Sequence, residues 1–333
     1  MRPPLAFHHG VTHIPMMTDS LPDLAIIYEH PDWFEPLFAA LDRHGLSYVK
    51  VPLAGSTFDP AGSPAPATVV FSRVAMSSFL REPEHPIFYA QSLFEHWQGQ
   101  GTRVVNASAL NIDTSKARQM SLIARLGLKG PATRVAHRQA DIPAAAEGLR
   151  YPVLVKADIG GAGAGITRYE TPEKLAEAAG EAWCPVGVNG ISLIQEYAPR
   201  RDGKITRVET LNGKYLYAID IESPGDAFDL CPADACLVRP GAPTLTMTKT
   251  TPPPEIIEAV ERLAVAGELE VGGVEYLIDD RDGSALFYDI NGLSNFVARP
   301  VEVLGFDPHD DLVEWLKTII AEEKQKRAGE MAA

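Results

Sequence analysis

Apolar residues along the first hundred positions come in short bursts separated by helical patterns. Residues 24–28 read Leu-Ala-Ile-Ile-Tyr, a continuous apolar run of strand length. Phe34, Leu37, Phe38 and Leu41 then recur at helical spacing, and Gly45 stops that helix before a second strand at 47–51. A Pro/Gly/Ser-rich loop over 55–67 leads to a strand at 68–71, a helix around 90–97 and a strand at 103–105. This alternation predicts an open, parallel α/β domain ending near residue 106.

From Asp113 the pattern changes. Asp113 is placed to cap a helix carrying Met120, Ile123, Ala124 and Leu126 and ending at Gly127. Strands follow at 133–136 and 153–156, with a short helix near 143–148 between them, then a glycine-rich loop and a helix over 172–183. Further strands are predicted at 192–196, 206–211 and 214–222, the last two joined by Asn212-Gly213, a strong type I′ hairpin signal. A helix from Pro254 to about residue 270 carries Ile256, Ile257, Val260, Leu263 and Ala264 on one side. A second hairpin, 273–278 and 285–290, turns over Asp282-Gly283. The last helix carries Leu312, Trp315, Leu316, Ile319 and Ile320 before a charged tail, and no internal repeat is visible. The second half is therefore mixed α+β.

Composition narrows the class. A length of 333 residues predicts two or three domains, and 45% hydrophobic with 22% charged residues is ordinary for a globular protein. Lys plus Arg number 30 against 44 Asp plus Glu, a net charge of −14, which disfavours a general nucleic-acid or membrane-surface binder. It leaves room for a small basic pocket. No apolar stretch has membrane-spanning length, and the N-terminal segment with His8, His9 and His13 lacks both a signal-peptide core and metal-ligand spacing. Cys184, Cys231 and Cys236 are too few for a disulfide framework, and the spacing of the last two is not that of a zinc knuckle. A reducing, cytoplasmic location is expected, with the cysteines read as small buried hydrophobes.

Four features offer chemistry. Lys156 precedes Gly160-Gly161-Ala162-Gly163-Ala164-Gly165, a loop whose backbone amides can turn to phosphate oxygens, though taken alone it is equally a flexible turn. No Gly-Lys-Ser/Thr follows, so it is not a Walker A motif. Asp289 and Asn291 alternate onto one face of a strand end, and the hairpin can bring Glu275 beside them. Two carboxylates and an amide oxygen suit Mg²⁺, while a solvated acidic hairpin is the plainer reading. Lys116, in the first turn of its helix, is unremarkable by itself. Gln195-Glu196-Tyr197, with Arg207 behind it, either offers backbone groups to a base or forms a surface ion pair.

In this order, the features resemble the ATP-grasp superfamily, and more narrowly the glutathione-synthetase-like, RimK-type carboxylate–amine ligases. Val104-Val105-Asn106, Lys116, Arg125-Leu126-Gly127-Leu128 and Pro131-Ala132-Thr133 match the entry into the family's ATP domain, and the likeness covers about residues 100–300. It implies a pre-ATP-grasp α/β domain over 1–106, an ATP-grasp domain over 107–325 with a lid at about 130–192, and a tail over 326–333. ATP and one or two Mg²⁺ ions are the implied cofactors. Lys116 and Lys156 would contact ATP phosphates, with Lys156 also near the adenine. Gly160, Gly161, Gly163 and Gly165 would form the lid loop, and Gln195, Glu196, Tyr197 and Ala198 the adenine hinge. Arg207 and Lys156 would act in catalysis, Arg207 by neutralising the transferred phosphoryl group; Glu275, Asp289 and Asn291 would hold the metal. Arg73, Ser294, Asn295 and Arg299 are expected to contact substrate.

The implied reaction activates a small-molecule or peptide carboxylate as an acyl phosphate and joins it to an amine. Relatives are often dimers or tetramers, so a homo-oligomer is compatible, though no segment marks an interface. This sequence departs from the family pattern in three places. Asp289 and Glu275 exchange carboxylate types at the metal positions, and Ile205 replaces an acidic residue, leaving ribose to another group such as Asp202. The segment Asp220-Ile221-Glu222 and Phe228 through Cys236 is acidic where RimK-type ligases are arginine-rich, which argues for an acceptor other than glutamate. Two other functions remain open at this point: an ATP-grasp small-molecule kinase, favoured by Asp-x-Asn as the last metal motif, and an ATP-binding protein without catalysis.

Overall fold

Apolar side chains cover both faces of β1 (Leu24–Tyr28), as a strand inside a parallel sheet requires. The computed structural model describes residues 21–30, 32–80, 86–160, 163, 165–180, 187–222 and 245–332. With β2 (Tyr48–Pro52), β3 (Val69–Arg73) and β4 (Arg103–Val105), β1 forms a wholly parallel sheet in the order β2-β1-β3-β4. Leu24, Ile26, Val69 and Phe71 point to one face, where α1 (Glu35–Arg43) and the C-terminal helix pack. Ala25, Ile27 and Val70 point to the other, against Ile87, Ala90, Leu93, Phe94 and Trp97 of α2 (Pro86–Gly99). The period-2 alternation of side-chain direction along a strand thus divides a continuous apolar run between two cores.

Beyond the first sheet lie α3 (Ala109–Asp113) and α4 (Lys116–Arg125). Asp113 is not the cap of α4. Ser115 is extended and its Oγ accepts from the Arg118 amide at 3.2 Å, while the Asp113 carboxylate accepts from the Leu293 amide at 3.2 Å. Two serviceable cap residues stand two positions apart in the sequence, and the tertiary contact to Leu293 engages one of them.

A small antiparallel sheet in the order β5-β8-β6-β7 comprises β5 (Thr133–Ala136), β6 (Val153–Ala157), β7 (Ile166–Tyr169) and β8 (Ser192–Glu196). The helices α5 (Ile142–Ala145) and α6 (Pro172–Ala179) cover it, with Ile142, Leu175 and Ala178 buried on Val153, Val155 and Ile194. The third sheet, also antiparallel, runs β11-β10-β9-β12-β13: β9 (Lys204–Leu211), β10 (Lys214–Glu222), β11 (Thr246–Thr250), β12 (Val271–Ile278) and β13 (Ala285–Asn291). Asn212 and Gly213 join β9 to β10 with φ of 51° and 70°, the two positive values of a type I′ turn.

One face of this third sheet buries Val208, Ala218, Val274 and Phe287 under Leu122 and Ile123 of α4 and under Val260, Leu263 and Ala264 of α7 (Pro254–Ala266). Ile219 and Ile221 on the other face share a core with the first sheet and with Leu312, Leu316 and Ile320 of α9 (Pro308–Ala332), which follows α8 (Pro300–Leu304). α9 therefore ties the parallel sheet to the large antiparallel one. Among the described residues no helix is long and apolar enough to cross a membrane.

Candidate functional site

The site begins at the N-terminus of α4. Lys116 occupies its first turn, where the helix dipole disfavours a cation, so the position needs acidic company. It has that company: Lys116 Nζ donates to Asp289 Oδ1 on β13. The side chain of Asp158, completely buried after β6, holds this helix end. It accepts from the Ser115 hydroxyl at 3.0 Å, the Ala117 amide at 2.8 Å and the Asn189 amide group at 2.7 Å. Gln119, one turn further on, exchanges bonds with Ile290, donating to its carbonyl at 2.8 Å and accepting from its amide at 3.0 Å. Neither Asp158 nor Gln119 carries a sequence motif. Both fix α4 against the strands that bear the candidate ligands.

Asp289 stands opposite Glu275 across the β12–β13 pair, and Asn291 opposite Gly273. Asn291 Nδ2 lies 3.4 Å from Glu275 Oε1, and Tyr288 donates its hydroxyl to Glu275 Oε2 at 2.9 Å. Burial, and then repulsion from Asp289, raises the Glu275 carboxyl above its ordinary range. Burial first, then Glu275, likewise raises the Tyr288 phenol. Two carboxylates in such proximity favour a shared cation. Among the described residues no cluster of three His, Cys, Asp or Glu side chains gathers, so a metal here would take these two carboxylates and the Asn291 amide oxygen from the protein. That donor set fits Mg²⁺, which completes its octahedron with water and phosphate oxygens.

Three cations border the pair. Lys116 is held up by Asp289 against the effect of its burial. Lys156 on β6 is buried, with Nζ 5.6 Å from the centre of the Tyr288 ring. Burial, and then Lys116, pulls its ammonium down to about 8. Arg207 on β9 faces Glu275 in register and donates to it from NH1 at 3.2 Å; NH2 lies 3.4 Å from Ser294 Oγ. Burial opposes the Arg207 charge, and Glu209 and Glu275 outweigh it.

The glycine-rich loop follows β6. Gly163 and Gly165 have φ of 71° and 70°, and the Gly165 carbonyl accepts from the Ala157 amide at 2.8 Å. A Cβ on Gly165 would come within 2.9 Å of the Ala157 Cβ, so backbone approach as well as φ requires glycine there. Gly160 ends the described part of the strand exit, and Gly161 lies outside the described residues. Gln195 is buried and donates to Thr133 Oγ1 at 2.9 Å, so its side chain is engaged internally. Glu196 accepts from the Arg150 amide and guanidinium, at 2.9 and 3.1 Å. Arg168 stacks 4.2 Å from the Tyr197 ring centre, and Ala198 is buried beside it in sequence.

Three of the four expected substrate contacts meet. Arg73, the last residue of β3 and fully buried, donates from NH2 to the Ser294 carbonyl and, at 2.9 Å, to Asn295 Oδ1. Its Nε and NH1 are without hydrogen-bond partners. Burial pulls the guanidinium down to about 9, with Glu209 as the opposing charge. Arg299 does not join this group: its side chain is 64% exposed and pairs with Glu302 at 3.2 Å. Its backbone lies in the left-handed region, with φ of 49°, at the start of α8. Asp202 lies exposed in the turn Arg201–Gly203, and Asp220 is engaged by Lys204 at 2.7 Å and Thr206 at 2.6 Å. His8, His9, His13, Cys184 and the acidic segment through Cys231 and Cys236 lie outside the described residues.

No protein-family profile matches the chain. Curated relatives do, among them two that align over about seven-tenths of this chain. It is 30% identical over 232 residues to a probable alpha-L-glutamate ligase of Stutzerimonas stutzeri (strain A1501), covering 69% of this chain and 72% of that protein. It is 29% identical over 246 residues to the like-named protein of Aeromonas salmonicida (strain A449), covering 72% and 76%. Among solved structures, it is similar to the RimK domain protein ATP-grasp from Sphaerobacter thermophilus DSM 20745, with a TM-score of 0.63 and 16% identity, over 88% of this chain and 99% of that one. At that identity the likeness concerns the fold.

Proposed function

The chain belongs to the RimK-type ATP-grasp ligases, and on that premise we propose how its own residues carry an ATP-dependent carboxylate–amine ligation. A substrate carboxylate oxygen attacks the γ-phosphorus of ATP, the bond to the β,γ-bridging oxygen breaks, and ADP leaves. An amine nitrogen then attacks the resulting acyl phosphate carbon, phosphate departs with the bonding pair, and the amine proton is lost as the amide forms. Little covalent work falls to the protein; its task is alignment and charge neutralisation. The observation that supports this reading is the convergence of Lys116, Lys156 and Arg207 on the Glu275–Asp289 pair, from four strands and a helix end.

In this reading Lys116 and Lys156 receive phosphate oxygens. Lys156, with its ammonium already destabilised by burial, gains most from an anion. Arg207 neutralises the acyl phosphate. Glu275, Asp289 and Asn291 hold Mg²⁺, which when bound screens the phosphate charge. Gly160, Gly163 and Gly165 border the phosphates and help exclude water from the acyl phosphate, while Gln195, Glu196, Tyr197 and Ala198 border the adenine. Arg73, Ser294 and Asn295 border the substrate. The kinase and non-catalytic readings are set aside, because both relatives are named as ligases.

The substrate pair is amino-acid-like in this proposal, and incubation with ATP, Mg²⁺, pools of carboxylates and hydroxylamine tests it. Hydroxamate with ADP is the expected product. A phosphorylated alcohol, or no ADP with any pool, would sink the reading.

A further inference from the structure

Arg207 and Glu209 are two residues apart on β9 and so share one face of the sheet. Glu209 is 1% exposed, and its Oε1 accepts from Arg207 Nε at 2.6 Å, closer than the 3.2 Å from Arg207 NH1 to Glu275. Its second oxygen, Oε2, is without a hydrogen-bond partner. Gly273 stands opposite Glu209 on β12, and a Cβ there would come within 2.9 Å of Arg207 Nε and of both Glu209 oxygens. The absent side chain of Gly273 is the space the ion pair occupies.

Stability alone gives little reason for this pair. A buried ion pair about breaks even against apolar residues of the same size, and an unmatched carboxylate oxygen adds desolvation cost. The two carboxylates on Arg207 differ in their other obligations. Glu275 also receives the Tyr288 hydroxyl, lies beside Asn291 and faces Asp289. Arg207 is the hydrogen-bond partner of Glu209, whose charge also acts on the buried Arg73.

We propose that Glu209 is the positioning residue of Arg207: it grips the Nε edge and leaves the NH1 and NH2 end directed toward Glu275 and Ser294, where the acyl phosphate forms. The inference rests on the ligase reading for its chemistry, whereas the grip itself does not. It assigns a role in the reaction to a residue outside every motif of the sequence.

The test uses the full chain with two variants, Glu209→Gln, which removes the charge, and Gly273→Ala, which keeps both charges and displaces them. Both are expected to lower kcat for amide formation on the order of 10²-fold, as a misplacement of about 1 Å does. KM for ATP should stay near wild type, while the melting temperature should fall in both, because each variant displaces or unmatches a buried charge. In nucleotide-free and metal-free protein, the Arg207 Nε–H resonance, assigned by its loss in Arg207→Lys, should be slowly exchanging and far downfield, and should move upfield in Glu209→Gln. Wild-type kcat with an unmoved resonance in Glu209→Gln would overturn the proposal. So would a parallel fall in kcat and ATP affinity in both variants, since that marks a pair that holds the whole site rather than Arg207 alone. If wild-type protein forms no hydroxamate, the ligase reading fails while the resonance still reports on the grip.

Discussion

Lys116 and Asp289 form an ion pair across 173 residues of sequence, joining the first turn of α4 to the end of β13. A cation at a helix N-terminus and a carboxylate facing another carboxylate are each unfavourable alone. Together they cancel much of that cost.

Asp289→Ala and Asn291→Ala should abolish turnover while far-UV circular dichroism and the melting transition remain. Both positions lie at a strand end with partial exposure, so their loss leaves the cores intact. ADP release at wild-type rates in either variant would refute their assignment as metal ligands.

Nucleotide binding should take up protons near pH 8. Lys156 is pulled down to about 8 by burial and by Lys116, so it is about half protonated there; phosphate oxygens favour its charged form and draw a proton in. Calorimetry in buffers of different ionisation enthalpy measures the uptake, which should fall away below pH 7, where the lysine is already charged. Lys156→Met should remove it.

Asp158→Ala should destabilise the fold by about 2–4 kcal/mol, because it strips partners from the Ser115 hydroxyl, the Ala117 amide and Asn189 in a buried setting. Urea unfolding measures this. A loss under about 0.5 kcal/mol would show that water replaces the carboxylate.

Arg73→Met should separate stability from activity. The guanidinium is buried with two of its nitrogens unmatched, so an apolar side chain of similar length should leave the melting temperature unchanged or raise it. The KM of one substrate should rise about tenfold or more, the scale of a lost charged hydrogen bond. Unchanged steady-state kinetics would remove Arg73 from the substrate site.

The legible part of this protein was whatever repeats locally or recurs in a fixed order. Short continuous apolar runs at 24–28 and 68–71 mark buried parallel strands, and Asn212-Gly213 marks a hairpin, because run length and turn chemistry are properties of adjacent residues. Lys116, Lys156, Arg207, Glu275 and Asp289 stood out through their order along the chain, and the folded chain brings them together. Glu209, Asp158 and Gln119 had no such signal. A single acidic or amide residue in a strand or loop is ordinary until other segments bury it. The choice of Ser115 over Asp113 as a cap likewise depended on the contact from Leu293. Sequence by itself determined most of the elements, though not β7, β11, α3 or α8, together with the class of fold and the inventory of charges. Tertiary structure decided which charges lose water and which partners they meet, because desolvation and register are set by strands brought together from distant parts of the chain.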